Sequence, residues 1–333
     1  MEFYKSKIKG TGMYVPEKVL TNADLEKMVD TNDEWIYTRT GIRERHICST
    51  EGGEWPTDMA LKASVQALEA ANLEPNDIDM ILFASVTPDA KLPNSACILQ
   101  VKLGITNNCA ALDIAAACSG FVYGVNLANS MIQTGAAKNV LVVGSEMLSR
   151  EVNWEDRSIC ILFGDGCGVA VVGRNEDSDQ SEILSSTLGA DGTGAEFFDQ
   201  PVGGAVEPIT PEHIEKRTHM MQMKGGEMFK MATRTLANNA KKVIKEAELT
   251  LKDVDWLVPH QANVRIIETT GKLLGIDSEK VIINIDKYGN TSAATVPIAF
   301  HEAIHDGRIK RGDLVLFDAF GAGLTSGATL LRY

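Results

Sequence analysis

Short apolar runs alternate along the chain with longer stretches whose apolar residues recur every three or four positions. The runs are legible at D-I-D-M-I-L (77–82), D-I-A-A-A-C (113–118), N-V-L-V-V-G (139–144), D-W-L-V-P-H (255–260), V-I-I-N-I-D (281–286) and D-L-V-L-F-D (313–318). Runs of this length bounded by turn residues read as buried strands, whereas spacing at 3.6 residues reads as an amphipathic helix. Phe121, Val125, Ala128 and Ile132, at i, i+4, i+7 and i+11, predict a helix that begins just after Cys118. Strands alternating with helices predict an α/β fold, with sheets covered by helices.

The pattern also repeats. A-N-L-E-P-N-D-I-D-M-I-L (71–82) matches A-E-L-T-L-K-D-V-D-W-L-V (247–258), and each follows an amphipathic helix. Leu-Gly-Ile at 103–105 recurs at 274–276. The strand ending at Cys118 corresponds to 281–286, which ends near Asn290. Residues 139–144 correspond to 313–318, and F-G-D-G-C-G-V-A-V-V (163–172) to F-G-A-G-L-T-S-G-A-T-L-L (320–331). A duplicated α/β unit explains this shared order better than two independent domains, with halves over residues 1–175 and 176–333. The loosest stretch, 189–226, is rich in Gly, Pro and charge and predicts a loop-rich insertion or lid.

Composition narrows the class. The 333 residues are 44% apolar and only 6% aromatic, an ordinary globular balance. A net charge of −13 disfavours nucleic acid as a partner, because phosphate contacts need a basic surface. No run of about 18 consecutive apolar residues is available to span a bilayer. The N-terminal M-E-F-Y-K-S-K-I-K-G has no signal-peptide core. The six cysteines (48, 97, 109, 118, 160, 167) form no C-x-x-C pair, and no His or Cys cluster has metal-ligand spacing. The expectation is a cytoplasmic protein with reduced thiols and no metal site.

Three residues stand at the ends of apolar runs. Cys118 is placed at a helix N-terminus, where unpaired N–H groups and the helix dipole favour thiolate; such surroundings can lower a thiol pKa from about 8.5 to roughly 3.5–7.5. His260 ends the run 255–260, and Asn290 follows 281–286 in Y-G-N-T-S-A-A. Ligands in open α/β sheets gather at the carboxyl ends of strands, so the three can converge despite their separation in sequence. Read singly, each has a bland alternative: a buried structural cysteine, a satisfied histidine, and a turn that caps a helix.

The chain resembles the thiolase-fold condensing enzymes, and most closely β-ketoacyl-acyl carrier protein synthase III. The resemblance rests on G-T-G-M-Y-V-P (10–16), T-N-A-D-L-E-K (21–27), D-E-W-I-Y-T-R-T-G-I-R-E-R (33–45), the Cys118 segment, F-G-D-G-C-G (163–168), V-P-H-Q-A-N (258–263), G-N-T-S-A-A (289–294) and G-A-G-L-T-S-G-A (321–328). It implies a thiolase-like fold whose duplicated halves form a layered α-β-α-β-α sandwich. It also implies that Cys118 takes an acyl group from acyl-CoA, with an oxyanion hole of backbone N–H groups at Cys118 and Ala322. His260 and Asn290 would then stabilise the enolate formed when malonyl-acyl carrier protein loses CO₂. Trp35, Arg39, Arg157 and Asn263 match positions of the CoA groove. Leu92 and Phe320 match the acyl pocket, and Lys230, Arg265 and Lys272 match carrier-protein docking positions. Arg234, one turn after Lys230, extends that basic face on spacing alone. The implied substrates and partners are acyl-CoA, acyl carrier protein and a second copy of the chain. No cofactor is implied, since the CoA thioester is itself the substrate.

Departures from the family pattern shape the expectations. Ser326 stands where the family commonly carries Trp, and Ala322 where glycine is frequent. Leu92 replaces an aromatic residue that restricts some members to acetyl primers, so tolerance of longer or branched primers is expected. A papain-like peptidase also orders Cys, His, Asn, and the Cys118 to His260 gap of 142 residues suits it, but C-S-G-F lacks the peptidase signature. Two further alternatives are an acyltransferase of secondary metabolism with another acceptor and a non-catalytic binding protein.

Overall fold

Residues 3–49, 53–176 and 180–333 are described by a computed structural model. Its two large sheets repeat one arrangement. The first comprises β1 (Ser6–Tyr14), β2 (Met80–Ala84), β3 (Ala110–Ile114), β4 (Asn139–Met147) and β5 (Asp165–Arg174), in the order β1-β5-β4-β2-β3. The second comprises β6 (Glu182–Ala190), β7 (Trp256–Pro259), β8 (Leu314–Gly321) and β9 (Thr325–Arg332), in the order β7-β8-β9-β6. Strands β2 and β4 are parallel and β4 and β5 antiparallel; correspondingly, β7 and β8 are parallel and β8 and β9 antiparallel. Reading β2-β4-β5-β1 against β7-β8-β9-β6 therefore superposes order and direction, which is the duplication expected from the sequence.

One counterpart is reduced. Residues 281–286, expected as the equivalent of β3, make a single parallel bridge from Val281 to Leu257. The chain then turns away at Ile285–Tyr288. With the second sheet ending there, Asn290 is carried on a loop that reaches back to the first half.

Helices fill five layers with the sheets. α1 (Asp33–Thr40) lies near the surface, and α2 (Pro56–Ala71) packs on the outer face of the first sheet through Met59, Ala63 and Ala67. α4 (Gly225–Glu246) and α5 (Val264–Leu274) cover the outer face of the second. Between the sheets lie α3 (Gly120–Gln133) and α6 (Thr295–His305). Phe121, Val125, Ala128 and Ile132 of α3 and Val296, Ala299 and Phe300 of α6 are buried in one core with Phe317 and Leu331. Both helices are buried along most of their length, as central-layer helices must be.

The loose stretch 189–226 is loop-rich as expected, with a two-stranded ribbon pairing Phe198–Asp199 with Gln222–Met223. Among the described residues all six cysteines are free, no helix is long and apolar enough to cross a membrane, and no group of three or more His, Cys, Asp or Glu is placed to hold a metal ion.

Candidate active site

Cys118 occupies a 3-10 turn, Ala117–Ser119, that runs into α3. The preceding Ala117 has φ 46°, a left-handed conformation that costs a non-glycine residue free energy and turns the strand sharply into the helix. First-turn N–H groups have no intrahelical acceptor, so the Cys118 N–H is available to a ligand. Gly321, the last residue of β8, packs on this backbone: a Cβ there would lie 2.7 Å from the Cys118 nitrogen, so only glycine fits. Ala322 does not adopt positive φ, so its methyl is accommodated, whereas Gly323, at φ 129°, needs to be glycine.

The lowered thiol pKa expected from the helix terminus is not what the structure gives. Burial pushes the Cys118 thiol up to about 12, against the opposing hydrogen bonds of Ser292 and of its own backbone. The N-terminal position is as read from the sequence, but desolvation of a thiolate in this enclosed site outweighs it. The resting sulfur is a thiol.

His260 follows β7, is buried, and donates its backbone N–H to Asp318 O (2.8 Å). Burial lowers its imidazole pKa to about 3, so the ring is neutral. Its Nδ1 lies 2.6 Å from Thr295 Oγ1, the first residue of α6. That hydroxyl also lies 3.0 Å from Ser292 O, but it has one proton to give. Ser292 O already accepts the Thr295 backbone N–H, and the shorter contact is the one to Nδ1. With the hydroxyl turned to Nδ1 the ring proton lies on Nε2; with it donated to Ser292 O the ring donates from Nδ1.

Asn290 is pinned at both backbone groups, donating to Leu162 O (2.8 Å) and accepting from Gly164 N–H (3.1 Å). Its side-chain oxygen accepts the Ser292 N–H (2.8 Å), so the NH₂ end is the one left to donate. The loop approaches the first sheet closely because β4 has glycine at 144, where a Cβ would sit 2.4 Å from Ala293 O. Arg45, fully buried, bonds Ile161 O, Leu20 O and Asn22 Oδ1 and so braces the segment on which Asn290 hangs.

Cys118, His260 and Asn290 line one cavity of about 130 Å³, together with Phe320, Asn263 and apolar residues of α4. Behind Cys118 lies a second cavity of about 240 Å³, lined by Thr87, Leu148, Phe163, Met221, Ser292 and Ala322. The sulfur stands between them. Phe320 lies on the outer side with His260. Leu92 lines neither cavity and is 87% exposed in the single chain.

At the outer rim, the guanidinium groups of Arg39 and Arg157 lie 4.5 Å and 5.1 Å from the Trp35 ring centre. Arg157 also donates to Asp30 O (2.7 Å). Asn263 caps α5 by accepting the Arg265 N–H and donates to Arg39 O (2.9 Å), which ties this cluster to the outer cavity. Lys230, Arg234, Arg265 and Lys272 are exposed on the neighbouring helices α4 and α5. Lys230 also pairs with Glu227 (3.3 Å). Ser326 is buried opposite Phe320 in the β8-β9 ladder.

Comparison with known proteins places this geometry. Models of 3-oxoacyl-[acyl-carrier-protein] synthase III match residues 112–192, and of its C-terminal region residues 244–333. A β-ketoacyl-[acyl-carrier-protein] synthase III of Caldanaerobacter subterraneus subsp. tengcongensis is 52% identical over 98% of this chain and 97% of its own length. The chain belongs to the β-ketoacyl-acyl carrier protein synthase III family. The crystal structure of a family member from Aquifex aeolicus, 48% identical, superposes with a TM-score of 0.90 over 98% of this chain and all of its own. A priming β-ketosynthase of a polyketide biosynthetic pathway, 31% identical, gives 0.89 over 99% and 97%. The fold is the thiolase-like α-β-α-β-α sandwich of this family, and the chain is an acyltransferase.

Sequence reading missed Ser292, Thr295, Thr87 and Glu146, which surround these residues. Glu146 carried a signal: it is an acidic residue ending an otherwise apolar run, G-S-E-M (144–147).

The form with the Thr295 hydroxyl turned to Nδ1 is testable. Thr295→Val keeps the shape but removes the hydroxyl, so release of CO₂ from malonyl-carrier protein should fall about five- to tenfold, equivalent to one hydrogen bond. Acylation of Cys118 should change much less, and equal losses in both half-reactions would contradict that form.

Proposed function

We propose that this family member joins a short acyl-CoA primer to malonyl-acyl carrier protein by decarboxylative condensation, giving a 3-oxoacyl-carrier protein, CoA and CO₂, the step that begins fatty acid synthesis. The observation that carries the reading is the single cavity in which the Cys118 sulfur meets two neutral hydrogen-bonding groups, His260 and Asn290. In the first half-reaction Cys118 attacks the thioester; the tetrahedral oxyanion is held by the N–H groups of Cys118 and Ala322, and CoA leaves as its thiol. Backbone donors suit this task because they need no reorganisation and never titrate. In the second, loss of CO₂ places negative charge on the thioester oxygen of the malonyl group. His260 Nε2–H and the Asn290 NH₂ donate to that enolate, and its carbon attacks the acyl-Cys118 carbonyl. These interactions strengthen as charge develops, which is what raises a rate rather than an affinity.

CoA is read into the outer rim, with its adenine between Trp35 and Arg157 and with Arg39 and Asn263 along the groove. Lys230, Arg265 and Lys272, with Arg234, are the docking charges for an acidic carrier protein, and they flank the helices that frame the outer cavity. No bound cofactor enters the scheme. We place the protein in the cytoplasm, where these substrates are made and free thiols persist.

The proposed active unit is a homodimer with one pocket wall supplied by each partner. β3 is the terminal strand of its sheet, and an unpaired edge invites pairing about a two-fold axis. Leu92 and Val101 (77% exposed) are bare apolar side chains in the single chain, and the inner cavity ends at surface residues Val86 and Gln200. A partner's Leu92 closing that end leaves more room than an aromatic ring would. Butyryl-, isobutyryl- and isovaleryl-CoA are therefore expected within about tenfold of acetyl-CoA in kcat/KM. A sharp cutoff after acetyl would remove this expectation.

The test is a two-step assay: labelled acetyl-CoA, location of the label by mass spectrometry, then malonyl-carrier protein with measurement of CO₂ and product. The likeness to a polyketide-priming ketosynthase favours one second reading, in which the acyl-Cys118 step is kept but the acceptor differs. Labelling of Cys118 without turnover on malonyl-carrier protein would select it.

A further inference from the structure

The site as described leaves the Cys118 proton without a destination. With the ring proton on Nε2, the form that the donor role in decarboxylation needs, His260 has no lone pair there to accept the thiol proton. On the other side of the sulfur the structure holds a buried carboxylate with an open path to it. Glu146, the penultimate residue of β4, is wholly buried. Its Oε2 accepts from Ser85 Oγ (3.1 Å), Val86 N (3.1 Å), Thr87 N (3.2 Å) and Thr87 Oγ1 (2.6 Å). Its Oε1 accepts from Ser292 Oγ alone among the described side chains (3.0 Å). Ser292 is buried and lines the inner cavity together with Cys118. It has φ 50°, a strained conformation for a residue with a side chain. With its proton on Glu146, the Ser292 hydroxyl keeps lone pairs that can accept a proton from the Cys118 thiol.

We propose that Ser292 and Glu146 form a proton relay that takes the Cys118 proton during acyl transfer and returns it to the departing CoA, with Glu146 the positioning residue behind Ser292. The inference rests on Cys118 being the acyl acceptor. As the sulfur electron pair forms the bond to the acyl carbon, the thiol proton moves to Ser292 Oγ while the Ser292 proton moves to Glu146 Oε1, and the carbonyl π pair moves onto its oxygen. Collapse of that oxyanion breaks the bond to CoA sulfur. The CoA sulfur takes back the proton through Ser292, which leaves acyl-Cys118, CoA thiol and the starting carboxylate. Burial raises the Glu146 pKa, which makes its carboxylate a better proton acceptor, while the hydrogen bonds it accepts favour the ionised form. A concerted transfer suits a thiol that rests protonated.

The sign of a charge-removing substitution separates this role from a passive one. A buried anion near the sulfur makes thiolate harder to form, so if Glu146 were only that, Glu146→Gln would leave the acylation rate unchanged or raise it. As part of a relay, its loss should slow acylation by acetyl-CoA about 10²-fold, the low end for general acid–base catalysis. Ser292→Ala should do the same while leaving Glu146 its four other donors, so it serves if Glu146→Gln does not fold. Single-turnover acylation in mixed H₂O and D₂O supplies a readout that packing damage would not move. Wild type should depend on deuterium fraction along a curve for two protons in flight, and Ser292→Ala should not. Variants acylating as fast as wild type, or a linear wild-type dependence, would overturn the relay alone. A wild type that takes no label on Cys118 would overturn both the relay and the reading of the site.

Discussion

Cys118→Ala should take no acyl group from labelled acetyl-CoA, with condensation reduced by more than about 10⁴-fold. The expectation follows from position. Cys118 lines both cavities of the site. Cys48, Cys160 and Cys167 are buried in packed cores, where burial also raises their thiol pKa. Losing one small buried side chain should cost about 1 kcal/mol of stability, so the variant should fold with little change in melting temperature. It should still release CO₂ slowly from malonyl-carrier protein, because His260 and Asn290 remain. Label found on another cysteine, or labelling of the variant at the wild-type rate, would end the assignment of Cys118 as the acyl carrier.

Removing the donors should have the complementary effect. Asn290→Ala and His260→Ala are each expected to slow decarboxylation about 10²- to 10³-fold, the loss seen when one oxyanion donor is removed. Acyl-Cys118 formation should change less than tenfold, because no enolate exists in that step. The pH dependence checks the charge state. The His260 pKa is lowered from the ordinary 6.5 to about 3, so across pH 5 to 8 the ring stays neutral and keeps its one proton. Decarboxylation should then show no acid limb near pH 6.5. A limb there that disappears in His260→Ala would mean that the ring titrates at its usual value, and the donor role would need a different basis. Measuring CO₂ release separately from acylation resolves the two half-reactions.

Much of the fold was legible because hydrophobic periodicity is local. The helix after Cys118 was read from four apolar positions, and all four are fully buried. The duplication was read from matching runs and reappears as two sheets with the same strand order and direction. What failed was length and context: residues 281–286 have the composition of a strand yet form one bridge, because the Gln261 side chain, not a strand, takes Ile282 O and the Asn284 N–H before a helical turn begins at Ile285. The thiol pKa failed for a related reason. A helix terminus can be located from a sequence, but the loss of water around Cys118 depends on β8, the Asn290 loop and α4 closing over it.

The order of residues by itself determined the strand and helix alternation, the internal repeat, the family resemblance and the place of Cys118 at the start of a helix, since each is a property of neighbours in the chain. Only the tertiary structure decided that Thr295 meets the imidazole of His260, which end of the Asn290 amide is free, and that Ser292 shares a cavity with Cys118 and bonds Glu146. The Ser292–Glu146 bond spans 146 positions and forms only when the two halves pack, the His260–Thr295 contact spans 35, and the Asn290 amide is turned by the Ser292 N–H in a loop held against Leu162 and Gly164.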